Sequence, residues 1–435
     1  MSLLRGRLIF MKSLLEKHNN LWYPCKGFYI YGGSRMESRV FQMIEKEKDR
    51  QERNIELIAS ENFVSENVLR AMGSCLTNKY SEGYPAVRED GCGRKGRYYG
   101  GCQFIDEVEE YCCTKWREVF NTDYHVNVQP HCGSQANMAA YLSVLEPGDT
   151  ILAMSLNNGG HLTHGSPVNF SGRLCDMKFY DVDDRGYIDY DDIGNKIREY
   201  RPALVLAGAS AYSREIDFAR IREMIDNCGL EKKPFFMVDM AHIAGLVAAG
   251  YHQSPFGKAD IITTTTHKTL RGPRGGMIFC RRELAGNVDA AIFPGTQGGP
   301  LEHVIAAKAV AAEEACTPEF KEYIGNVVKN CKAMCEEFIR LGYDVVTDGT
   351  DNHLFLLDFT RTHPDISGKA VQDELDKHFI TLNKNCVPND KRSPVQTSGV
   401  RIGTAAETTK GKTAEDFVNI ARKIDSIISQ MSDAK

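Results

Sequence analysis

Lys268 closes the run Ile261-Ile262-Thr263-Thr264-Thr265-Thr266-His267-Lys268, and Asp239 ends the apolar run Phe235-Phe236-Met237-Val238, 29 positions upstream. A lysine just past one strand and an aspartate at the tip of another can hold pyridoxal phosphate. The lysine amine forms a Schiff base with the aldehyde, and the carboxylate pairs with the pyridinium nitrogen. Opposite charges at short range favour both charged forms, so an ionised aspartate keeps that nitrogen protonated and the ring becomes an electron sink. Taken alone, the pair also fits a surface lysine near a strand-end aspartate.

A second segment bears on the same chemistry. Gln129-Pro130-His131-Cys132-Gly133-Ser134-Gln135-Ala136-Asn137 reads as a tight turn entering a helix, where backbone amides and a hydroxyl can bind phosphate without a cationic side chain. Ser134 also suits a plain helix cap. Gly91-Cys92-Gly93-Arg94-Lys95-Gly96 matches GxGxxG, but no strand pattern precedes it, which argues against a dinucleotide site.

The elements that must position these residues follow from periodicity. Between about Val108 and Gly299, short apolar runs (Thr150 to Met154, Ala203 to Ala207, Phe235 to Asp239, Asp260 to Thr264, Gly276 to Cys280) alternate with helical patterns. That predicts an α/β fold with a mostly parallel sheet covered on both faces and ligands at the strands' carboxyl ends. Met36 to Asn54 reads as a charged amphipathic helix with Val40, Phe41 and Ile44 on one side, before a polar, glycine- and tyrosine-rich stretch. From Thr317, Phe320, Ile324, Val327, Cys331, Met334, Phe338 and Leu341 keep helical spacing as far as Gly342. Strands over Tyr343 to Val346 and His353 to Phe359, and a closing helix with Phe417, Ile420, Ile424 and Ile427, complete a smaller α+β domain. The expected divisions are an extension (1–35), a helix and arm (36–101), a large domain (102–316) and a small domain (317–435).

Composition bounds the partners. With 53 basic against 58 acidic side chains and a net charge of −5, nothing points to nucleic acid. No apolar stretch approaches the roughly 20 residues of a membrane span. The 14 cysteines include no CxxC pair, so no metal site is expected, and they read as reduced core residues of a cytoplasmic protein. Cys331 and Cys335 lie one helical turn apart, a spacing that also suits shared core packing. Residues 1–35 hold six basic residues against one acid, Glu16. They read as a disordered or appended segment, with an organelle transit peptide as the alternative.

Beyond these patterns, the chain resembles the serine hydroxymethyltransferase family. The resemblance rests on Leu57-Ile58-Ala59-Ser60-Glu61-Asn62, Thr77 to Pro85, Arg97-Tyr98-Tyr99-Gly100-Gly101, Gly159 to Gly165, Val238-Asp239-Met240-Ala241-His242, Thr265-Thr266-His267-Lys268, Phe293 to Gly299 and Thr397 to Gly403, in the family's order. It implies a fold-type I pyridoxal-phosphate enzyme that moves a one-carbon unit reversibly between serine and tetrahydrofolate, giving glycine and 5,10-methylenetetrahydrofolate. By position, Lys268 would carry the cofactor covalently, Asp239 would hold the ring nitrogen and His161 would stack on the ring. Gly133 and Ser134 would hold the phosphate, joined by Tyr80 and Gly299 from a second subunit. Ser210 and His242 would lie near the phenolic oxygen.

The resemblance further implies that Arg401 takes the substrate carboxylate with help from Ser60. A guanidinium suits that role because it stays charged and can bond in parallel. Glu82 would exchange a proton with serine or folate, a task for a carboxyl of raised pKa in a closed site. Tyr99 would position substrate from the partner subunit, and Asn385, Leu156 and Leu162 would line the folate pocket. Active sites divided in this way imply an obligate homodimer, with tetramers left open. A folate-independent aldolase acting on β-hydroxy amino acids such as threonine would use the same lysine, aspartate and arginine.

Two features depart from the family pattern. Where about two residues would separate the Glu-Gly-Tyr-Pro segment from Arg-Tyr-Tyr-Gly-Gly, eleven intervene, Ala86 to Gly96. A surface loop is the expectation for them, since long insertions cost little closure entropy, with narrowing of the folate entrance as the alternative. Cys132 stands where serine is usual, and a thiol is the poorer donor to a phosphate.

Overall fold

The computed structural model describes residues 38–433. The expectation for 1–35 therefore lies outside the described residues. The chain separates into a unit ending at Glu52 and a unit Arg53–Lys435. Helix α1 (Arg39–Arg53) runs to that boundary and carries Val40, Phe41 and Ile44 as exposed side chains.

The larger unit is built on a seven-stranded sheet. Its strands are β1 (His125–Asn127), β2 (Thr150–Met154), β3 (Asp176–Tyr180), β4 (Leu204–Ala207), β5 (Phe235–Asp239), β6 (Ile261–Thr265) and β7 (Gly276–Cys280), in the order β1-β7-β6-β5-β4-β2-β3. Strands β3, β2, β4, β5 and β6 pair in parallel, while β7 runs antiparallel to both β6 and β1. Outside the edge strand β3, where only Tyr180 is buried, nearly every strand residue is buried, so the runs read as continuous apolar stretches rather than alternating ones. Ile151, Ala153, Leu204, Leu206, Met237 and Ile261 pack in one core cluster, and their neighbours Leu152, Met154, Val205, Ala207, Val238 and Ile262 in another. That alternation places one cluster on each face of the sheet.

Helix α2 (Gln103–Phe120) adds Cys112, Cys113, Trp116 and Phe120 to one of these clusters. Helix α3 (Gly133–Val144) adds Ala136, Ala139, Ala140 and Tyr141 to the other. Alanines let α3 lie close to the strands, which brings its N-terminus to their carboxyl ends. Helix α4 (Glu302–Ala315) packs with α2.

Helix α5 (Pro318–Arg340) begins where its sequence predicts. The Thr317 side chain caps it, and Pro318 sits where its missing N–H costs nothing. Its first half, with Phe320, Ile324 and Val327, enters the large core; its second half, with Cys331, Met334, Cys335 and Phe338, enters a separate one. The second core lies under a four-stranded antiparallel sheet of β8 (Asp344–Val345), β9 (Leu354–Asp358), β10 (Asn383–Asn385) and β11 (Gly399–Gly403), ordered β8-β9-β11-β10. Helices α6 (Gly368–Lys377) and α7 (Ala414–Asp433) supply Val371, Leu375, Phe417, Ile420 and Ile424 to it. Cys331 and Cys335 are core residues, and every cysteine among the described residues is free.

The insertion corrects an expectation. Residues 86–96 do not form a surface loop throughout: Arg88 and Asp90 are buried. The physical reason is charge pairing. Arg88 lies 4.0 Å from Asp90, 3.8 Å from Glu110 and 3.7 Å from Asp289, so the insertion is drawn down onto β1 and α2. Its ends close as a short antiparallel pair, Gly83–Tyr84 with Gly96–Arg97.

Candidate active site

Five site segments leave the carboxyl ends of the adjacent parallel strands β2, β4, β5 and β6 or the start of α3. Asp239 is the last residue of β5, and Lys268 lies three residues beyond β6. His161 follows β2, Ser210 follows β4, and Gly133 and Ser134 open α3. This is where a parallel sheet concentrates exposed loop ends and helix N-termini.

Asp239 is held by three donors. Its Oδ2 accepts from Asn137 Nδ2 at 2.9 Å and His164 Nε2 at 3.1 Å, and its Oδ1 accepts from the Ala241 amide at 3.0 Å. Burial pushes its pKa up, but the hydrogen bond from His164 first, with the electrostatic influence of the nearby His164, His161 and Lys268 side chains, outweighs it and holds the carboxyl well below its usual range. The group is ionised at any working pH, as a partner for a ring N–H must be.

Lys268 is buried beside it. Burial lowers its pKa from 10.5 to about 8; Asp239 opposes the shift and the Arg401 and Arg274 charges assist it. At pH 7 roughly a tenth of the amine is therefore neutral, far more than for an unperturbed lysine, and this is the form that attacks a carbonyl. Its backbone carbonyl is fixed by Asn62 Nδ2 at 2.9 Å, and Asn62 also donates to the Tyr323 hydroxyl at 2.7 Å.

Burial likewise lowers His161 to about 4, with His164, Lys268 and Arg401 adding to the shift against Asp239. A neutral imidazole can lie against a cationic ring without charge repulsion. Its Nδ1 sits 2.8 Å from Thr163 Oγ1, which fixes the ring plane. His242 is also kept neutral, by burial first and by the Lys268 charge next, and its Nδ1 is 3.3 Å from His353 Nε2.

Arg401, on β11, reaches this group from the smaller sheet. Its Nη1 donates to the Ser210 carbonyl at 2.7 Å and its Nε to Asn383 Oδ1 at 3.1 Å, leaving Nη2 to receive a carboxylate. Burial lowers its pKa to about 10, so it stays charged. The segment that carries Ser60 is tied to the smaller sheet: the Gly403 amide bonds the Leu57 carbonyl at 2.8 Å, and Ala59 packs onto β9 through Leu354 and Leu356.

The phosphate end fits an anion. Cys132 is the residue before α3, and its side chain makes no cap hydrogen bond. The first-turn amides are thus left to a ligand. A Cβ on Gly133 would lie 2.6 Å from Thr265 Cγ2, so only glycine lets α3 start this close to β6. Thr265 Oγ1 is buried without a hydrogen-bond partner at this spot, an orphan that a bound group would satisfy. The residues present therefore fit pyridoxal phosphate.

Glu82, Tyr80, Tyr99 and Gly299 gather separately. The Tyr80 hydroxyl donates to Glu82 Oε1 at 3.4 Å, the Tyr80 and Tyr99 rings meet at 5.1 Å, and a Cβ on Gly299 would touch the Tyr80 ring at 3.2 Å. Among the described residues, no hydrogen bond or ion pair joins this group to Lys268, Asp239 or Arg401. Leu156 and Leu162 are exposed, at 44% and 46%. The turn after Leu156 and the loop after Asn385 share a small cavity lined by Asn157, Asn158 and Cys386.

Sequence reasoning missed the residues that tune the site. Asn137 was visible only as part of the phosphate turn, and His164 only as part of a motif. Lys308 carried no signal, lying in the alanine-rich helix α4. It is fully buried and donates to the carbonyls of Val128 at 2.6 Å, Gly276 at 2.8 Å and Pro130 at 3.1 Å, which stiffens the approach to the phosphate turn.

A family model for serine hydroxymethyltransferase matches residues 34–424. With nearly the whole chain covered, a lysine and an aspartate set at the strand ends of a fold-type I sheet and an arginine reaching them from the smaller sheet, the chain belongs to the serine hydroxymethyltransferase family.

Proposed function

We propose the following roles for this chain's residues in the family's reaction, the pyridoxal-phosphate-dependent transfer of the serine hydroxymethyl group to tetrahydrofolate. The bound cofactor supplies an electron sink for cleavage of the bond between the serine α-carbon and its hydroxymethyl group. Lys268 anchors it covalently, and Asp239, fixed by His164 and Asn137, holds the proton on the ring nitrogen. Gly133 and Ser134 bind the phosphate through the start of α3. His161 packs on the ring, and Ser210 and His242 border its phenolic side.

Arg401 orients serine and glycine by their carboxylate, with Ser60 beside it. Glu82, within reach of the Tyr80 hydroxyl, exchanges a proton with the serine hydroxyl or folate. Leu156, Leu162 and Asn385 line the folate pocket; the exposure of both leucines supports this reading.

Tyr80, Tyr99, Glu82 and Gly299 serve the site of a partner subunit. Their grouping apart from Lys268 supports an obligate homodimer, and dimers can pair further. The divisions 36–101, 102–316 and 317–435 act as arm, large domain and small domain. A cytoplasmic location is consistent with the free cysteines. No described helix is long and apolar enough to cross a membrane.

The Asp239–Lys268–Arg401 arrangement supports the pyridoxal-phosphate chemistry, and the family match carries the choice of folate as acceptor. Nothing in the family match favours the folate-independent aldolase. The test is a serine assay with and without tetrahydrofolate. Glycine formation that requires tetrahydrofolate and vanishes in Lys268→Ala is expected; aldehyde release from threonine at the same rate would overturn the assignment.

A further inference from the structure

We propose that Asp90, Cys92 and His125 form a zinc-class cation site that staples the 86–96 insertion to the central sheet. Two of the three side chains come from the insertion itself, and the third opens β1. Their ligating atoms all lie within 4.8 Å of one another. The cysteine pattern gave no sign of it, because the site holds a single thiol and its histidine lies 33 positions further on.

The geometry is that of a built site. Asp90 Oδ1 accepts the Cys92 amide at 3.1 Å, which fixes the carboxylate and turns the thiol inward. Asp90 Oδ2 then lies 2.7 Å, and Cys92 Sγ 3.6 Å, from the same His125 nitrogen, Nδ1. One carboxylate, one thiolate and one imidazole are zinc's usual ligand types. Bonds of about 2.3 Å to sulfur and about 2.0 Å to nitrogen at a tetrahedral angle separate those atoms by roughly 3.5 Å, close to the 3.6 Å between Cys92 Sγ and His125 Nδ1. Asp90 Oδ2, hydrogen-bonded to Nδ1 at 2.7 Å, must draw back by roughly 0.6 Å to share the ion.

The outer contacts fit as well. His125 Nε2 lies 2.9 Å from Asp289 Oδ1, which is also bonded by Asn127 Nδ2 at 2.8 Å. A carboxylate behind a ligating histidine fixes its tautomer and raises its basicity. A Cβ on Gly93 would lie 2.5 Å from Asp289 Oδ2 and 2.7 Å from His125 Cε1, so the turn closes over the ring only with glycine there. Asp90 also lines an open cavity with Glu89, Arg117 and Arg282.

The surrounding charges are balanced. Arg88 and Arg117 face the carboxylates of Asp90, Glu110 and Asp289, and Arg88 Nη2 is 3.5 Å from the His125 ring. Thiolate and neutral imidazole are the ligating forms. A divalent ion entering here displaces a proton from each, so the net charge of the cluster is unchanged. The stapled segment lies in the chain between Glu82 and Tyr99, with the Tyr98 amide bonded to the Glu82 carbonyl at 3.0 Å. With three protein ligands the ion keeps a fourth position for water, and it holds in place a loop whose two ends carry site residues.

The inference is independent of the catalytic roles, and its readout is metal content. Full-length holoenzyme is equilibrated with zinc chloride, desalted and measured by plasma mass spectrometry. About one zinc per chain is expected, falling at least about tenfold in Cys92→Ser and in Asp90→Asn with pyridoxal phosphate content unchanged. X-ray absorption at the zinc edge of the wild-type protein should show a single sulfur among its ligands. Failure of the wild-type chain to retain zinc, equal retention by Cys92→Ser, or two or more sulfur ligands would overturn the site; the last two would assign the metal to other cysteines.

Discussion

His164 Nε2 lies 3.1 Å from Asp239 Oδ2, while its Nδ1 accepts the His161 amide at 3.2 Å. The second bond decides the first. An Nδ1 that accepts carries no proton, so Nε2 is the N–H that donates to Asp239. His161 and Asp239 are thereby tied through one imidazole.

His164→Ala removes that donor and leaves Asp239 with Asn137 and one amide. A hydrogen bond to a charged group contributes about 1.5–3 kcal/mol, so cofactor retention should weaken roughly tenfold or more. Titration of the apoprotein with pyridoxal phosphate measures this. An unchanged dissociation constant would show that His164 does not support Asp239.

The lowered pKa of Lys268 sets a pH dependence. Below about 8 the folded amine is protonated and cannot attack the cofactor aldehyde; above it the neutral amine predominates. The rate of cofactor attachment to apoprotein should rise with pH and level off just above 8, not near 10.5. The same shift affects stability. Between about 8 and 10.5 the unfolded lysine binds a proton that the folded one has lost, so the apoprotein gains stability as pH rises through that window. Stopped-flow absorbance and denaturant curves across it read the two effects.

Thr265→Val keeps the shape of the side chain and removes a buried hydroxyl with no protein partner. Apoprotein stability should be unchanged or slightly higher, while cofactor affinity falls by about 1 kcal/mol, or several-fold. Cys132→Ser should act in the opposite direction, tightening cofactor binding modestly by giving the phosphate a better donor. Equal dissociation constants for Cys132→Ser and wild type would contradict it.

Arg401→Lys retains a charge but loses the planar fork, two arms of which are already bonded to Ser210 and Asn383. The expected result is a rise of at least about tenfold in the glycine concentration needed for the spectral response, about 1.4 kcal/mol, with the cofactor band of the resting enzyme preserved. Loss of the band itself would move Arg401 from substrate binding to cofactor binding.

Five of the seven strands of the large sheet were legible because burial on both faces demands unbroken apolar runs, as in Phe235 to Asp239; the short His125–Asn127 and the polar edge strand Asp176–Tyr180 carry no such run. Helix α5 was legible from Thr317-Pro318 and its spacing of apolar residues. Within the site, Lys268 and Asp239 could be read from strand ends, and the roles of Arg401, Glu82 and His161 only through motif resemblance. The insertion was misread because a short charged segment looks like solvated loop. Nothing local shows that Arg88 and Asp90 find buried partners on α2 and at Asp289. Lys308 was missed for the same reason, since its partners are backbone carbonyls that come together only in the fold.

The central claim is that cofactor, amino acid and folate meet in one coupled site in this chain. The most direct test is the visible absorption spectrum of purified holoenzyme with glycine, before and after adding tetrahydrofolate. A strong rise in long-wavelength absorption when tetrahydrofolate is added is the predicted result. A spectrum that responds to glycine and is indifferent to tetrahydrofolate would contradict the account and favour an aldolase.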